Sequence, residues 1–165
     1  MALNVRDEFQ RLGGVPGIVE AVINEATPRE TFHGNSGPYL TRYELCVHPD
    51  GWKTVVNHFH RGDEDVELHS HPWFGSSLIV FHGYTEFRLT KHNEIRVIRY
   101  VEGDIVPLNR GLYHRVSLEG PSCWTLLVHS PSETDWDFLD HKTGKKTPWR
   151  EFVEQKGLKP LEPRS

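Results

Sequence analysis

The chain is expected to fold as an all-β protein, a sandwich or barrel with short helices at its two ends. Two observations carry this expectation. From Tyr39 onward the apolar residues recur with a period of two, in short runs separated by turn residues such as His48-Pro-Asp-Gly51 and Lys91-His-Asn-Glu94. Before and after that region the pattern becomes helical, at residues 3–26 and 147–157.

In chain order, residues 3–12 read as a short helix with Asn4 as its cap and Gly13-Gly14 as its stop. A second helix is expected over Val15–Ala26, opened by Pro16, with Val15, Ile18, Val19, Val22 and Ile23 on one stripe and Pro28 beyond its end. Residues 27–38, rich in Thr, Gly, Asn, Ser and Pro, read as a loop. Strands follow at Tyr39–Val47, Trp52–His60, Glu67–Pro72, Ser77–Thr90 (broken or bulged near Gly83), Ile95–Val101, Asp104–Pro107, Leu112–Leu118, Cys123–His129 and Asp135–Asp140. Thr147–Gly157 has Pro148 at the first helical position and Gly after the end, so it reads as a capped helix, and the tail Leu158–Ser165 is expected to be loosely held. The organisation expected is an N-terminal helical extension over 1–38, a barrel over 39–140, and a C-terminal helix and tail over 141–165.

At 165 residues the chain has the length of one domain and enough mass for a real core. Its net charge of −4 leaves no electrostatic footprint for a nucleic acid. No apolar run is long enough to span a bilayer, and Met1–Glu8 lacks a signal-peptide core, so a cytoplasmic protein without a membrane partner is expected. Cys46 and Cys123 could pair but are too few for a disulfide framework.

The chemistry concentrates in residues 67–84. His69 and His71 are two apart, and on a strand that spacing sends both imidazoles to one face, where neutral rings make a pair of metal ligands. Further on, Gly103, a turn at Asn109-Arg110-Gly111 and His114 on the strand that follows supply a third imidazole. Glu67 shares the face of His69 and could be a fourth ligand, an acceptor for an imidazole N–H, or a rim carboxylate. His58 and His60 on the neighbouring strand are candidates for substrate binding or proton transfer, His58 being the one singled out as catalytic; the alternative puts both on the outer sheet face. Trp73 and Phe74 either wall a pocket or pack in the core, and Tyr113 and Arg115, flanking His114, read as structural.

These two motifs resemble those of the cupin superfamily. Its first motif is His-x-His closed by a Gly, matched by His69, His71 and Gly83; its second is Gly, a turn ending in Gly, then His, matched by Gly103, Gly111 and His114. The resemblance spans residues 40–130 and implies a double-stranded β-helix, or jelly-roll barrel. In the usual first motif a ligand Glu stands five residues after the second His, where this chain has Ser76, so the implied site is His69, His71 and His114 alone. Three protein ligands with open positions describe a catalytic rather than a closed structural metal.

Thr41-Arg42 looks like a feature of the thiol dioxygenase branch of cupins, where such a pair on an early strand supplies a guanidinium for the substrate carboxylate. Those enzymes also use three histidines without the motif Glu. Their Ser, His and Tyr at alternate positions of a late strand become Thr125, Leu127 and His129 here, ahead of Ser130-Pro131, which departs from thiol oxidation while keeping the three-His site. The stretch His58–Trp73, Trp124-Thr125-Leu126 and Thr147–Glu151 is also similar to small uncharacterised cupins of bacteria and phages. The resemblance implies a mononuclear metal enzyme acting on a small molecule by a dioxygenase reaction, with Arg42 as the substrate clamp, the alternative being a surface strand arginine. Fe(II) is the first expectation and Zn, Ni, Cu or Mn the alternatives, His58 is the catalytic candidate from the neighbouring strand, and a homodimer is left open. A non-redox isomerase or lyase, or a binding module, are the other readings.

Overall fold

The computed structural model describes residues 3–34, 36–63 and 66–157. Two six-stranded sheets face each other, and the two N-terminal helices pack against the outer face of the first. The first sheet has the order β1 (Arg29–Gly34), β2 (Gly37–Val47), β3 (Lys53–Phe59), β10 (Cys123–His129), β5 (Gly75–Phe81) and β8 (Ile105–Leu108). The second has β12 (Lys145–Pro148), β11 (Asp137–Asp140), β4 (Leu68–His69), β9 (His114–Leu118), β6 (Tyr84–Leu89) and β7 (Ile95–Tyr100). Every pairing is antiparallel.

Several expectations shift. The segment read as the loop 27–38 contains β1, which pairs with β2 at the edge of the first sheet. Apart from Phe32 and Gly34 its residues are polar, and none is fully buried, so backbone pairing rather than side-chain burial makes it a strand. The single long strand expected over Ser77–Thr90 is two, β5 and β6, in different sheets. His82, at φ 60, and Gly83 turn the chain between them, and a Cβ on Gly83 would meet the Tyr100 carbonyl oxygen at 2.1 Å, so no larger residue fits there. The His-x-His strand is only two residues long, Leu68–His69, with His71 already in the connection to β5.

The sheets enclose one core, with Val55, Trp73, Ile79, Tyr84, Val106 and Leu127 among its members. A second core lies on the outer face of the first sheet, where Val56, Leu78, Leu126 and Val128 meet Val5 and Ile18 of two N-terminal helices. These are α1 (Val5–Arg11), capped by Asn4 as expected, and α2 (Gly14–Ile23). Helix α2 ends at Ile23 rather than Ala26, and its apolar stripe is narrower than the spacing suggests: Ile18 is buried, whereas Val19 and Ile23 are 43% and 72% exposed. Helix α1 also buries Glu8, whose carboxylate takes hydrogen bonds from Arg11 Nε (2.7 Å), Arg11 Nη2 (2.8 Å) and Thr54 Oγ1 (2.6 Å) on β3.

The C-terminal helix α3 (Trp149–Gln155) follows β12 directly; Pro148 occupies its cap and Thr147 stays in the strand, so no side chain caps it. The tail Leu158–Ser165, expected to be loosely held, lies outside the described residues. Cys46 and Cys123 are both free thiols. No helix among the described residues is long and apolar enough to cross a membrane.

Candidate metal centre

Because both faces of the first sheet are covered, one by the second sheet and the other by helices, strand parity decides what reaches the interior. On β3, Val55, Asn57 and Phe59 face inward, and Thr54, Val56 and His58 face the helices. On β10, Thr125 and Leu127 face inward and Trp124, Leu126 and Val128 outward.

Inside, between the sheets, a cavity of about 750 Å³ opens, and His69, His71 and His114 line it. One ring nitrogen from each lies within 4.8 Å of the others. His69 and His114 are direct cross-strand partners on β4 and β9, and His71 reaches in from the connection, its Nε2 2.9 Å from His114 Nε2. His114 is oriented from behind. Its Nδ1 lies 2.6 Å from Oε1 of Glu86, which is fully buried on β6 and accepts two hydrogen bonds of 2.9 Å from Arg88. A carboxylate can only accept, so His114 carries its proton on Nδ1 and offers the Nε2 lone pair to the cavity. Asp63 stands 3.9 Å from His69 Nδ1 and is itself held by the Tyr39 hydroxyl (2.5 Å) and the Val116 amide (2.6 Å).

Burial and the neighbouring cationic forms lower the pKa of His71 well below its usual value; burial, partly opposed by Asp63, brings His69 to about 4. Both rings are therefore neutral near pH 7, the form that binds a metal. Three imidazoles, no carboxylate among them and a cavity in front make a donor set that fits a divalent transition metal with open positions.

The fourth-ligand position is closed by geometry. Ser76 shares parity with Leu78 and Val80, which pack under the helices, so it points away from the histidines. The inward-parity neighbours are Gly75, where a Cβ would approach the Val128 carbonyl oxygen to 2.0 Å, and Ser77, which lines the cavity. Glu67 lines the cavity without joining the three-histidine group, which makes it the rim carboxylate of the three roles open to it.

Arg42 lines the cavity too. Its Nε donates to Asn57 Oδ1 at 2.9 Å across the β2–β3 pair, and its guanidinium lies 5.8 Å from the Phe32 ring. Glu44 does not pair with it; that carboxylate binds Lys53 at 2.8 Å.

His58, expected to be catalytic, lies apart from the histidine cluster. It sits on the helix-facing side of β3, stacked 3.9 Å from the Trp124 ring, and His60 on the same side bonds Thr41 Oγ1 at 2.8 Å. On this strand the cavity receives Asn57 and Phe59 instead. Trp73 is both core and wall, stacked between His71 (4.4 Å) and His129 (4.8 Å), whereas Phe74 is outside against Trp52. Tyr113 bonds Asp137 and Arg115 covers Phe87, both structural as expected. The sequence reading missed Glu86, Asp63, Asn57 and the aromatic residues Trp136 and Phe138. Period-two spacing marks Glu86 and Arg88 as sharing a face, the one signal that could have raised them.

No family model matches the chain, and no curated protein does either. Solved structures do. A cupin-2 domain protein of Rhodospirillum rubrum, Rru_A2000, aligns with a TM-score of 0.55 at 10% identity over 81% of this chain and 83% of its own. This chain has the cupin fold. The oxalate decarboxylase of Lactobacillus farciminis, in a formate complex, aligns at a TM-score of 0.54 and 13% identity over 78% of this chain and 35% of that one. The Fe(II) form of HppE aligns at 0.52 and 10% identity over 65% of this chain, which spans 58% of the HppE chain. At these identities the likeness is one of fold, and this chain's own residues must carry any chemistry.

Proposed function

We propose that this cupin is a mononuclear metal enzyme, an Fe(II)-dependent oxygenase acting on a small molecule with an anionic group. The observation that supports this most is the convergence of three imidazoles, without a carboxylate, on a cavity that also holds Arg42. When bound there, iron(II) would supply open coordination positions and electrons for oxygen chemistry.

The chain's own residues do the rest. His69, His71 and His114 hold the ion, and Glu86 keeps the His114 lone pair aimed at it. Arg42 binds the substrate anion, its fork fixed in place by Asn57. The walls exclude bulk water and confine the substrate beside the histidines, which replaces a bimolecular encounter by a positioned one. The Fe(II) form of HppE accords with this reading at the level of fold.

The test is anaerobic purification, metal quantification and oxygen uptake. Stoichiometric iron and substrate-dependent uptake are expected. Zinc or nickel with no uptake would replace the oxygenase by a non-redox metal cupin, and failure of any divalent metal to load would leave a binding protein.

A further inference from the structure

The cavity has two unlike walls. The first sheet contributes Arg42, whose Nε–H can only donate, so Asn57 must turn its Oδ1 toward it, and the pair fixes the guanidinium on that wall. The second sheet and α3 contribute rings. Trp136 lies 6.3 Å from the His69 ring and 5.3 Å from Phe138, and runs parallel to Trp149 at 5.5 Å with 3° between planes. Phe138 stacks on Phe152 at 3.8 Å. All of these side chains line the same cavity, which places a stacked aromatic wall beside a candidate metal ligand and faces it with a planar cation.

The cavity volume, about 750 Å³, lies in the upper part of the range for sites that enclose drug-sized ligands. An acid of two or three carbons would occupy a small part of it and would leave most of the aromatic wall uncovered. Aromatic faces and edges select flat unsaturated bodies over saturated ones of equal size through their quadrupoles. The guanidinium fork selects a planar carboxylate through two parallel hydrogen bonds.

We propose that the ligand of this cavity is an aromatic carboxylic acid, its ring against the Trp136 wall and its carboxylate on Arg42. It deepens the enzyme reading above, for which this acid is the substrate, but the binding geometry itself does not depend on the metal.

The test is calorimetric and ligand-observed NMR titration of the full chain, metal-free and zinc-loaded, with phenylacetate, cyclohexylacetate and benzylphosphonate. Phenylacetate is expected to bind roughly two- to tenfold more tightly than cyclohexylacetate, the range of an aromatic pair beyond its area. Trp136→Leu should erase that preference and Trp136→Phe should retain it, while Arg42→Gln should weaken both acids by roughly tenfold or more with the preference kept. Equal binding of the two acids, or a preference that survives in Trp136→Leu, overturns the aromatic assignment. No binding of phenylacetate, or tighter binding of benzylphosphonate, overturns the aromatic carboxylate. If no metal loads, the oxygenase reading falls while the metal-free titration still decides this one.

Discussion

At the scale of single residues, the orientation of His114 is the feature most open to experiment. Glu86 is fully buried, bonded to His114 Nδ1 and neutralised by Arg88. Glu86→Gln keeps the shape but removes the charge that holds the proton on Nδ1. Metal affinity should fall roughly 10- to 100-fold, as for other partners of ligand histidines, whereas His114→Ala should lose stoichiometric metal altogether. Competition against a chelator of known affinity reads both, and an unchanged affinity in Glu86→Gln would show that Glu86 does not tune the site. Ser76→Glu makes the complementary case. The motif offset suggests a restored fourth ligand, but the strand sends this side chain under the helices. Metal affinity should therefore not change, and the protein should be destabilised by an extra charge at the outer core. Tighter metal binding by Ser76→Glu would mean that β5 runs in the opposite register.

At the scale of elements, α1 is joined to the sheet by a polar contact within an apolar layer. The Arg11 hydrogen bond and ion pair, with Thr54 assisting, outweigh burial and hold the Glu8 carboxyl at about 2 instead of 4.5. A carboxyl whose folded pKa is depressed adds stability that is complete above its unfolded pKa and disappears as the pH falls through the folded one. The contribution should thus be full above pH 4.5 and gone near pH 2. Arg11 is 53% exposed, so solvent screening reduces its value, and Glu8→Gln should cost about 2 kcal/mol at neutral pH. Urea unfolding across the acid range should show wild type and Glu8→Gln converging between pH 4.5 and 2. Curves that stay parallel would remove Glu8 as the linkage. His129 and His58, held to about 4 mainly by burial, lower stability as pH falls from 6.5 to 4 equally in both proteins, so the difference reports Glu8 together with His48, which stands 3.6 Å from its carboxylate.

At the scale of the whole molecule, the three ligands come from β4, the connection after it, and β9, so a bound ion crosslinks strands distant in sequence. Ligands that bind only the folded state stabilise it by mass action, about 4 kcal/mol at a thousandfold excess over Kd. Zinc should raise the melting temperature of the full chain by several degrees, chelation should reverse the change, and His69→Ala should show no increment. A melting temperature indifferent to zinc in the wild type would argue that the three rings hold no metal.

Much of this architecture was readable from the chain itself. Because alternating burial leaves its mark on side-chain polarity, period-two runs and turn residues outlined most strands from Tyr39 onward, though not the division of Ser77–Thr90 between two sheets. His69, His71 and His114 emerged because their spacing follows from local strand and turn geometry, and Asn4 because a cap acts within three residues. Only the tertiary structure decided which face was which. Both faces of the first sheet are buried, so polarity alone could not tell that Arg42 and Asn57 look inward while His58 looks toward the helices. Strand β1 was hidden because backbone hydrogen bonds, not its side chains, hold it. Glu86 and the Trp136 wall were hidden for a related reason: their partners are far away in sequence, and a charge or ring shows its role only when the fold brings those partners within reach.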